Sequence, residues 1–192
     1  MIFQTPQKNE CTLYQGFRVD NSKYWYAVYT RSRAEKKVYE MLNYKGIDAF
    51  LPLHKTIRQW SQRRKMVEVP YIPGYCFVNI CMKQYYDVLQ TDNVVAFVKH
   101  CSKPAKIPDI QVEFLKKVLK YDDLPVEVSF EHYAKGTPVI ITAGPFTGVK
   151  GQLVCNRGKN KFMVRIGQIN CSFILEISHK ELEAIFEEKV AV

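Results

Sequence analysis

The sequence predicts an α+β protein built as two units: an antiparallel sheet with helices over residues 23–121, and a small β-barrel over 136–186. Three observations carry that expectation. Before residue 121, runs of aromatic and β-branched residues alternate with segments of helical periodicity. After Gly136 the helical period gives way to short strands separated by Gly-rich turns. Between the two, residues 122–135 turn acidic and aperiodic, as a linker does. A chain of 192 residues with 47% hydrophobic content can build real cores in both units.

Residues 1–22 are polar and aperiodic and read as a flexible leader. Tyr24–Thr30 is aromatic and β-branched, hence a strand. Ser32-Arg-Ala-Glu35 then has the form of a capping box, and Ala34, Val38, Met41, Leu42 and Lys45 recur at helical spacing until Gly46, predicting a helix over 33–45. Ile47–Leu53 is a second strand that Pro52 places at an edge or an end. A basic stretch to Val67 makes a hairpin excursion before a strand at 75–81, entered through the Pro73-Gly74 turn. A short helix at 83–90, a strand at 94–99 and a helix from Pro108 to Tyr121 complete a sheet with helices on one face. In the second unit, strands are expected at 138–142, 150–156, 161–166 and 172–177, with Ser178–Phe186 as a helical cap.

Composition narrows the function classes. No apolar run approaches the roughly 20 residues of a membrane helix, and the first twenty residues lack a basic start followed by an apolar block, which sets a cytoplasmic expectation with no membrane partner. The six cysteines form no Cys-x-x-Cys pair and the four histidines are scattered. That spacing points to reduced, mostly buried thiols and to no metal site. Phosphate-binding loops, nucleophile elbows and zinc-protease signatures are all missing, so the chain reads as a binding protein and not an enzyme, with no cofactor.

Charge is concentrated. Residues 24–121 hold 17 Lys and Arg against 8 Asp and Glu, while residues 122–192 are net −1. Lys55, Arg58, Arg63, Arg64 and Lys65 follow one another with no acid between them, a field attractive to phosphates. Arg31, Arg33, Lys36 and Lys37 sit at the start of the first helix, where cations oppose the helix dipole. A solvated surface is the plain reading of both groups, and contact with backbone phosphates the functional one. Trp60 in the hairpin reads best as a pin for it.

Tyr29, Tyr75, Phe77 and Phe97 fall on strands, where core burial is the ordinary fate of an aromatic. If helices cover one sheet face only, the other exposes an apolar groove fit for a partner helix, with Val112 and Leu115 of the last helix as its wall. Periodicity does not decide between the faces, because Cys76 and Val78 are apolar too.

Taken in order, the run Tyr24-Trp-Tyr-Ala-Val-Tyr-Thr30, the run Pro73-Gly-Tyr-Cys-Phe-Val78 and the segment from Gly136 to Val154 resemble the NusG family of transcription elongation factors. The resemblance covers residues 24–185. It implies a NusG-type N-terminal domain over 23–121 and a KOW domain of SH3-like barrel form over 136–186. It further implies a transcription elongation and antitermination factor that binds the clamp helices of RNA polymerase and suppresses pausing or termination. By position, the polymerase patch comprises Tyr29, Ile72, Tyr75, Phe77, Phe97, Val112 and Leu115, on an exposed groove. Arg31 and Lys37 match positions that face upstream or non-template DNA, and Arg33, Arg63 and Arg64 join them as nucleic-acid candidates, nascent RNA included. Phe146 and Ile166 fall where KOW domains dock a ribosomal protein or termination factor. The basic hairpin and the Thr30-Arg-Ser-Arg-Ala-Glu-Lys-Lys37 start depart from the housekeeping pattern. They are similar to specialised paralogues of the UpxY group, which act on surface-polysaccharide operons in Bacteroides-like bacteria. A monomer fits one site per polymerase. The alternative is a KOW-containing RNA-binding ribosomal or assembly protein, against which the barrel segment's net −1 counts.

Overall fold

The protein is described from a computed structural model that covers residues 21–60, 63–121, 126–130, 136–156, 159–176 and 181–184. Residues 1–20 of the expected leader lie outside the described residues.

The first sheet is organised about β1 (Tyr24–Thr30), whose aromatic and β-branched residues suit a central strand. β2 (Asp48–Phe50), β5 (Tyr75–Ile80) and β6 (Val94–Phe97) give the order β2-β5-β1-β6, and β9 (Lys106–Ile107) pairs with the other end of β1. All these pairings are antiparallel. β3 (Leu53–Trp60) and β4 (Arg63–Pro70) form a separate two-stranded ribbon, as do β7 (Lys99–His100) and β8 (Lys103–Pro104).

The period of two in β1 and β5 divides the aromatics between two layers. Tyr26, Val28, Cys76, Val78 and Ile80 pack with Val38 and Leu42 of α1 (Glu35–Tyr44) and Val88 of α2 (Tyr85–Leu89). Trp25, Ala27 and Phe77 fall in the opposite layer with Val112, Phe114, Leu115 and Val118 of α3 (Asp109–Lys120). Helices therefore lie on both sides of the sheet and not on one, because α3 carries its own apolar stripe and must bury it.

The capping box at Ser32 does not form. α1 begins at Glu35 with Ala34 before it and no side-chain cap. The Glu35 carboxylate is buried and instead accepts the Gly74 amide at 2.7 Å, 39 residues away. The Thr30 amide donates to the Gly74 carbonyl at 2.9 Å, so the Pro73-Gly74 turn is held from both ends of the β1–α1 connection. Gly74 sits at φ +82°, where a Cβ is costly.

The C-terminal unit is a six-stranded antiparallel sheet in the order β10-β14-β13-β12-β11-β15. Its strands are β10 (Val126–Ser129), β11 (Thr137–Ile141), β12 (Lys150–Asn156), β13 (Lys159–Ile166), β14 (Cys171–Leu175) and β15 (Leu182–Ala184). Two expectations change here. Part of the linker is a strand: β10 pairs with β14 from Val126↔Leu175 to Ser129↔Ser172. Its Val-x-Val alternation outweighs the acidity of the segment, since Val126 and Val128 pack on the core. Residues 122–125 and 131–135 of that linker lie outside the described residues. The expected cap is also a strand where it is described, since Leu182–Ala184 pairs with β11; residues 178–180 and 185–186 lie outside. Gly151 permits a close approach, because a Cβ there would overlap the Phe162 ring and the Met163 carbonyl.

Candidate functional site

Of the residues expected to form an apolar groove, all but Phe97 lie together. Ile72 and Phe77, with Val112 and Leu115 on α3, are all fully or almost fully buried in one cluster, and Tyr75 packs against it. Tyr29 lies beside Tyr75, ring centroids 5.0 Å apart, and at 40% exposure is the open rim of the group. Burial first, then the hydrogen bond and charge of Tyr29, push the Tyr75 phenol up to about 12. Phe97 stands apart from this set. It opposes Val28 across the β1–β6 ladder and so shares that residue's layer, stacking on Tyr85 at 4.5 Å and meeting Tyr26 edge-on at 6.0 Å. The irregularity between Tyr29 and Thr30 in the ladder is the kind of feature that strand parity read along the sequence does not see.

The groove is not open. The cluster that holds Ile72, Phe77, Val112 and Leu115 continues without a break into Val139, Ile141, Phe146, Phe162, Val164, Ile166, Ile169, Cys171 and Phe173 of the C-terminal sheet. Aromatic contacts cross the seam. Phe114 meets Phe146 and Phe173, both at 5.9 Å between ring centroids, Tyr121 meets Phe146 at 5.8 Å, and Tyr71 meets Phe173 at 6.2 Å. Two hydrogen bonds fix the register: Gln111 Nε2 donates to the Arg165 carbonyl at 3.2 Å, and Gln168 Nε2 to the Lys106 carbonyl at 3.1 Å. The buried Oε1 atoms of both glutamines have no partner, so the seam is apolar contact with imperfect polar satisfaction.

Phe146 and Ile166, the candidates for a partner of the C-terminal unit, are 3% and 0% exposed and lie in the same cluster. Phe146 is presented by a tight turn in which Gly144 and Gly148 take φ +80° and +84° and Thr147 Oγ1 donates to the Gly144 carbonyl at 2.7 Å. Thus the two candidate docking surfaces cover each other. Sequence reasoning missed Phe114, Tyr121 and Phe173 on this seam. The helical period of α3 carried a signal for Phe114 and Val118, four apart on one stripe. Nothing local marked Phe173, whose ring partners Phe114 and Tyr71 belong to the other unit.

Arg31 and Arg33 are exposed in the turn before α1, Arg33 at φ +61°, and Lys37 is exposed on the helix. Arg63 and Arg64 are exposed on the β3–β4 hairpin. Lys36 reaches Glu68 of β4 at 3.4 Å, which ties the start of α1 to the β3–β4 ribbon. Burial pushes the Cys76 and Cys171 thiols up to about 12, so neither is a ready nucleophile. Among the described residues, no cluster of His, Cys, Asp and Glu suits a metal ion, and no helix is long and apolar enough to cross a membrane.

Comparison with known proteins agrees with this architecture. The family described as "NusG: Transcription termination factor nusG" matches residues 23–116. The transcription termination/antitermination protein NusG of Staphylococcus carnosus (strain TM300) is 25% identical over 180 residues, covering 85% of this chain and 97% of that protein. The NusG of Staphylococcus aureus (strain Mu50 / ATCC 700699) has the same identity and coverage. A solved structure described as "Domain interaction in Thermotoga maritima NusG" shares the fold, with a TM-score of 0.50 at 23% identity over 86% of this chain and 98% of that one. Residues 23–116 of this chain are thus similar to the NusG family, and the chain as a whole is similar to NusG proteins at 25% identity.

Proposed function

We propose that the protein is a non-enzymatic, cytoplasmic elongation and antitermination factor that docks on RNA polymerase through the face formed by Ile72, Tyr75, Phe77, Val112 and Leu115, with Tyr29 at its rim. One observation carries this reading. The chain builds a contiguous apolar face between a sheet and α3, of the kind that accepts a partner helix, and seals it with its own C-terminal sheet. A face that needs a cover in the resting protein is a face suited to apolar contact when uncovered. The clamp helices of the polymerase are the proposed occupant, and reduced pausing or termination the outcome. Specialised operons such as surface-polysaccharide loci are the proposed setting.

Arg31, Arg33 and Lys37 would then meet upstream or non-template DNA, with Arg63 and Arg64 further out on the hairpin. Phe146 and Ile166 would meet a ribosomal protein or termination factor once the seam opens. One copy per polymerase is expected.

Binding of the full chain to core RNA polymerase tests the docking face. Phe146→Ala removes ring contacts to Phe114 and Tyr121 from the covering side only, and should tighten binding severalfold by favouring the open form. Adding Tyr75→Ala to that background should weaken binding about tenfold or more, the loss expected of a well-packed aromatic anchor. Unchanged affinity on adding Tyr75→Ala, with the fold intact, would sink the docking assignment.

A further inference from the structure

We propose that the stretch Phe17-Arg18-Val19-Asp20 of this chain docks on an exposed helical face formed by Met82, Lys83, Tyr86 and Asp87, on the layer of the first unit that the C-terminal sheet does not cover. A 3₁₀ turn over Met82–Gln84 runs directly into α2. Tyr85 and Val88 turn inward, Tyr85 stacking on Phe97 and Val88 entering the layer of α1. Met82 and Tyr86, four apart, share the outward side and are 47% and 59% exposed. Lys83 and Asp87, also four apart, are exposed beside them. An apolar pair is thus flanked by one cation and one anion. Among the described residues neither Lys83 nor Asp87 is in a salt bridge, and Lys45 Nζ is held by the backbone carbonyl of Asp87 at 3.1 Å.

The point where the chain enters the fold selects the occupant. Tyr24 opposes Ile80 in the β1–β5 ladder, so the start of β1 lies beside the end of β5, two residues before Met82. The Tyr26 hydroxyl donates to Met82 Sδ at 3.8 Å and ties Met82 to this end of the sheet. Phe17, four residues before Asn21, can therefore lie no more than about 14 Å from the entry. Its neighbours alternate in character, Phe17 and Val19 being apolar, Arg18 and Asp20 charged. In an extended segment the two apolar side chains point to one side and the two charges to the other, each pair about 6.6 Å apart. Met82 and Tyr86, like Lys83 and Asp87, are about 6–7 Å apart along the helical axis.

Tether and charge choose the same direction. Running back from Asn21, the segment meets Met82 with Val19 and then Tyr86 with Phe17. That direction sets Asp20 against Lys83 and Arg18 against Asp87, two opposite-charge pairs. The reverse direction would set Asp20 against Asp87 and Arg18 against Lys83, and like charges at contact are destabilising. A second copy offers the same four residues without the tether, and hence at a far lower effective concentration. The face belongs to the layer of α1 and α2, whereas the seam lies on the layer of Phe77 and α3. Covering one does not require covering the other.

This inference stands apart from the polymerase reading and is tested on the full chain alone. Limited trypsin digestion is followed by mass spectrometry, and cleavage after Arg18 is expressed as a ratio to cleavage after Lys8, which precedes the docked stretch. A docked Arg18 is cut only when the segment lifts off. Met82→Ser/Tyr86→Ser should raise the ratio about fivefold or more through lost apolar burial. Asp87→Asn leaves the apolar pair intact and should raise it about two- to threefold, the worth of an exposed ion pair. Glu40→Gln, an equal charge change at an exposed position of α1, should leave the ratio unchanged. Both side chains of the double variant are largely exposed, so it should melt within a few degrees of the wild type. The wild-type ratio should hold constant from about 1 to 100 µM protein, as a contact within one chain requires. Three results would overturn the proposal: an unchanged ratio in the double variant, equal changes in Asp87→Asn and Glu40→Gln, or a wild-type ratio that climbs on dilution, which would assign the face to a second copy.

Discussion

At the residue scale, the least expected element of the fold is the buried carboxylate of Glu35. In the sequence it reads as the last member of a capping box, a local role. In the fold it reaches the Gly74 amide at 2.7 Å and ties α1 to the turn that enters β5. A charge-assisted hydrogen bond of this kind is worth roughly 1.5–3 kcal/mol. Glu35→Ala should therefore lower stability by about that amount, more than the roughly 1 kcal/mol of a lost cap, measured by urea unfolding. Gly151→Ala should cost at least as much, because its Cβ would meet both a ring and a backbone carbonyl in a packed sheet. Two buried thiols and one half-buried phenol set a pH dependence. Burial raises the Cys76 and Cys171 thiols from 9.0, and the Tyr75 phenol from 10.0, to about 12. Each is held neutral in the fold, so the unfolded chain releases its proton first as pH rises. Their contribution is full below about pH 9 and is lost between about 9 and 12. Thermal melts in that window should fall more steeply for the wild type than for Cys171→Ala, provided the variant folds.

At the scale of elements, the strands were readable wherever a period of two or a run of β-branched residues was uninterrupted. β1, β5 and β12 lie where the sequence places them, to within a residue. α1 and α3 are shorter than their periodic stretches by one or two residues at their ends, as fraying makes usual. β10 and β15 were missed because each is four residues or fewer and takes its stability from a partner strand far along the chain. The docking face was half legible. Tyr75 and Phe77 share a sheet face by simple parity, and Val112 and Leu115 lie on one helix stripe, but which face they share depends on packing. Phe97 shows the limit: a β-strand aromatic carries no mark in the sequence of whether it meets Tyr85 or α3. The same holds for the hairpin, whose cations look like one run in sequence and prove to be two faces once the register is known.

At the scale of the whole molecule, the two units share one continuous apolar core, although the sequence reads as two separate domains and a linker. The expected groove is present but occupied. If polymerase binds that groove, it binds only the open form, and its apparent affinity is reduced by the fraction open. Linkage makes the effect reciprocal. Any ligand that holds Phe146 or Ile166 away from α3 should strengthen polymerase binding by the same factor that polymerase strengthens the ligand's. A peptide or protein found to bind the C-terminal unit should thus show tighter binding in the presence of polymerase, and independent affinities would contradict the shared seam.

The most direct test of that seam is the reactivity of Cys171, which is fully buried in the shared cluster against which Tyr75 packs. The full chain would be alkylated at neutral pH with and without core RNA polymerase, and modification read at each cysteine by mass spectrometry, with exposed Cys101 as the internal standard. The account expects Cys171 to be protected in the free protein and to become reactive when polymerase is bound, while Cys76, in the layer on the other side of the sheet, stays protected in both. Polymerase binding that leaves Cys171 as protected as before would show that docking does not uncover this face, and would contradict the central claim.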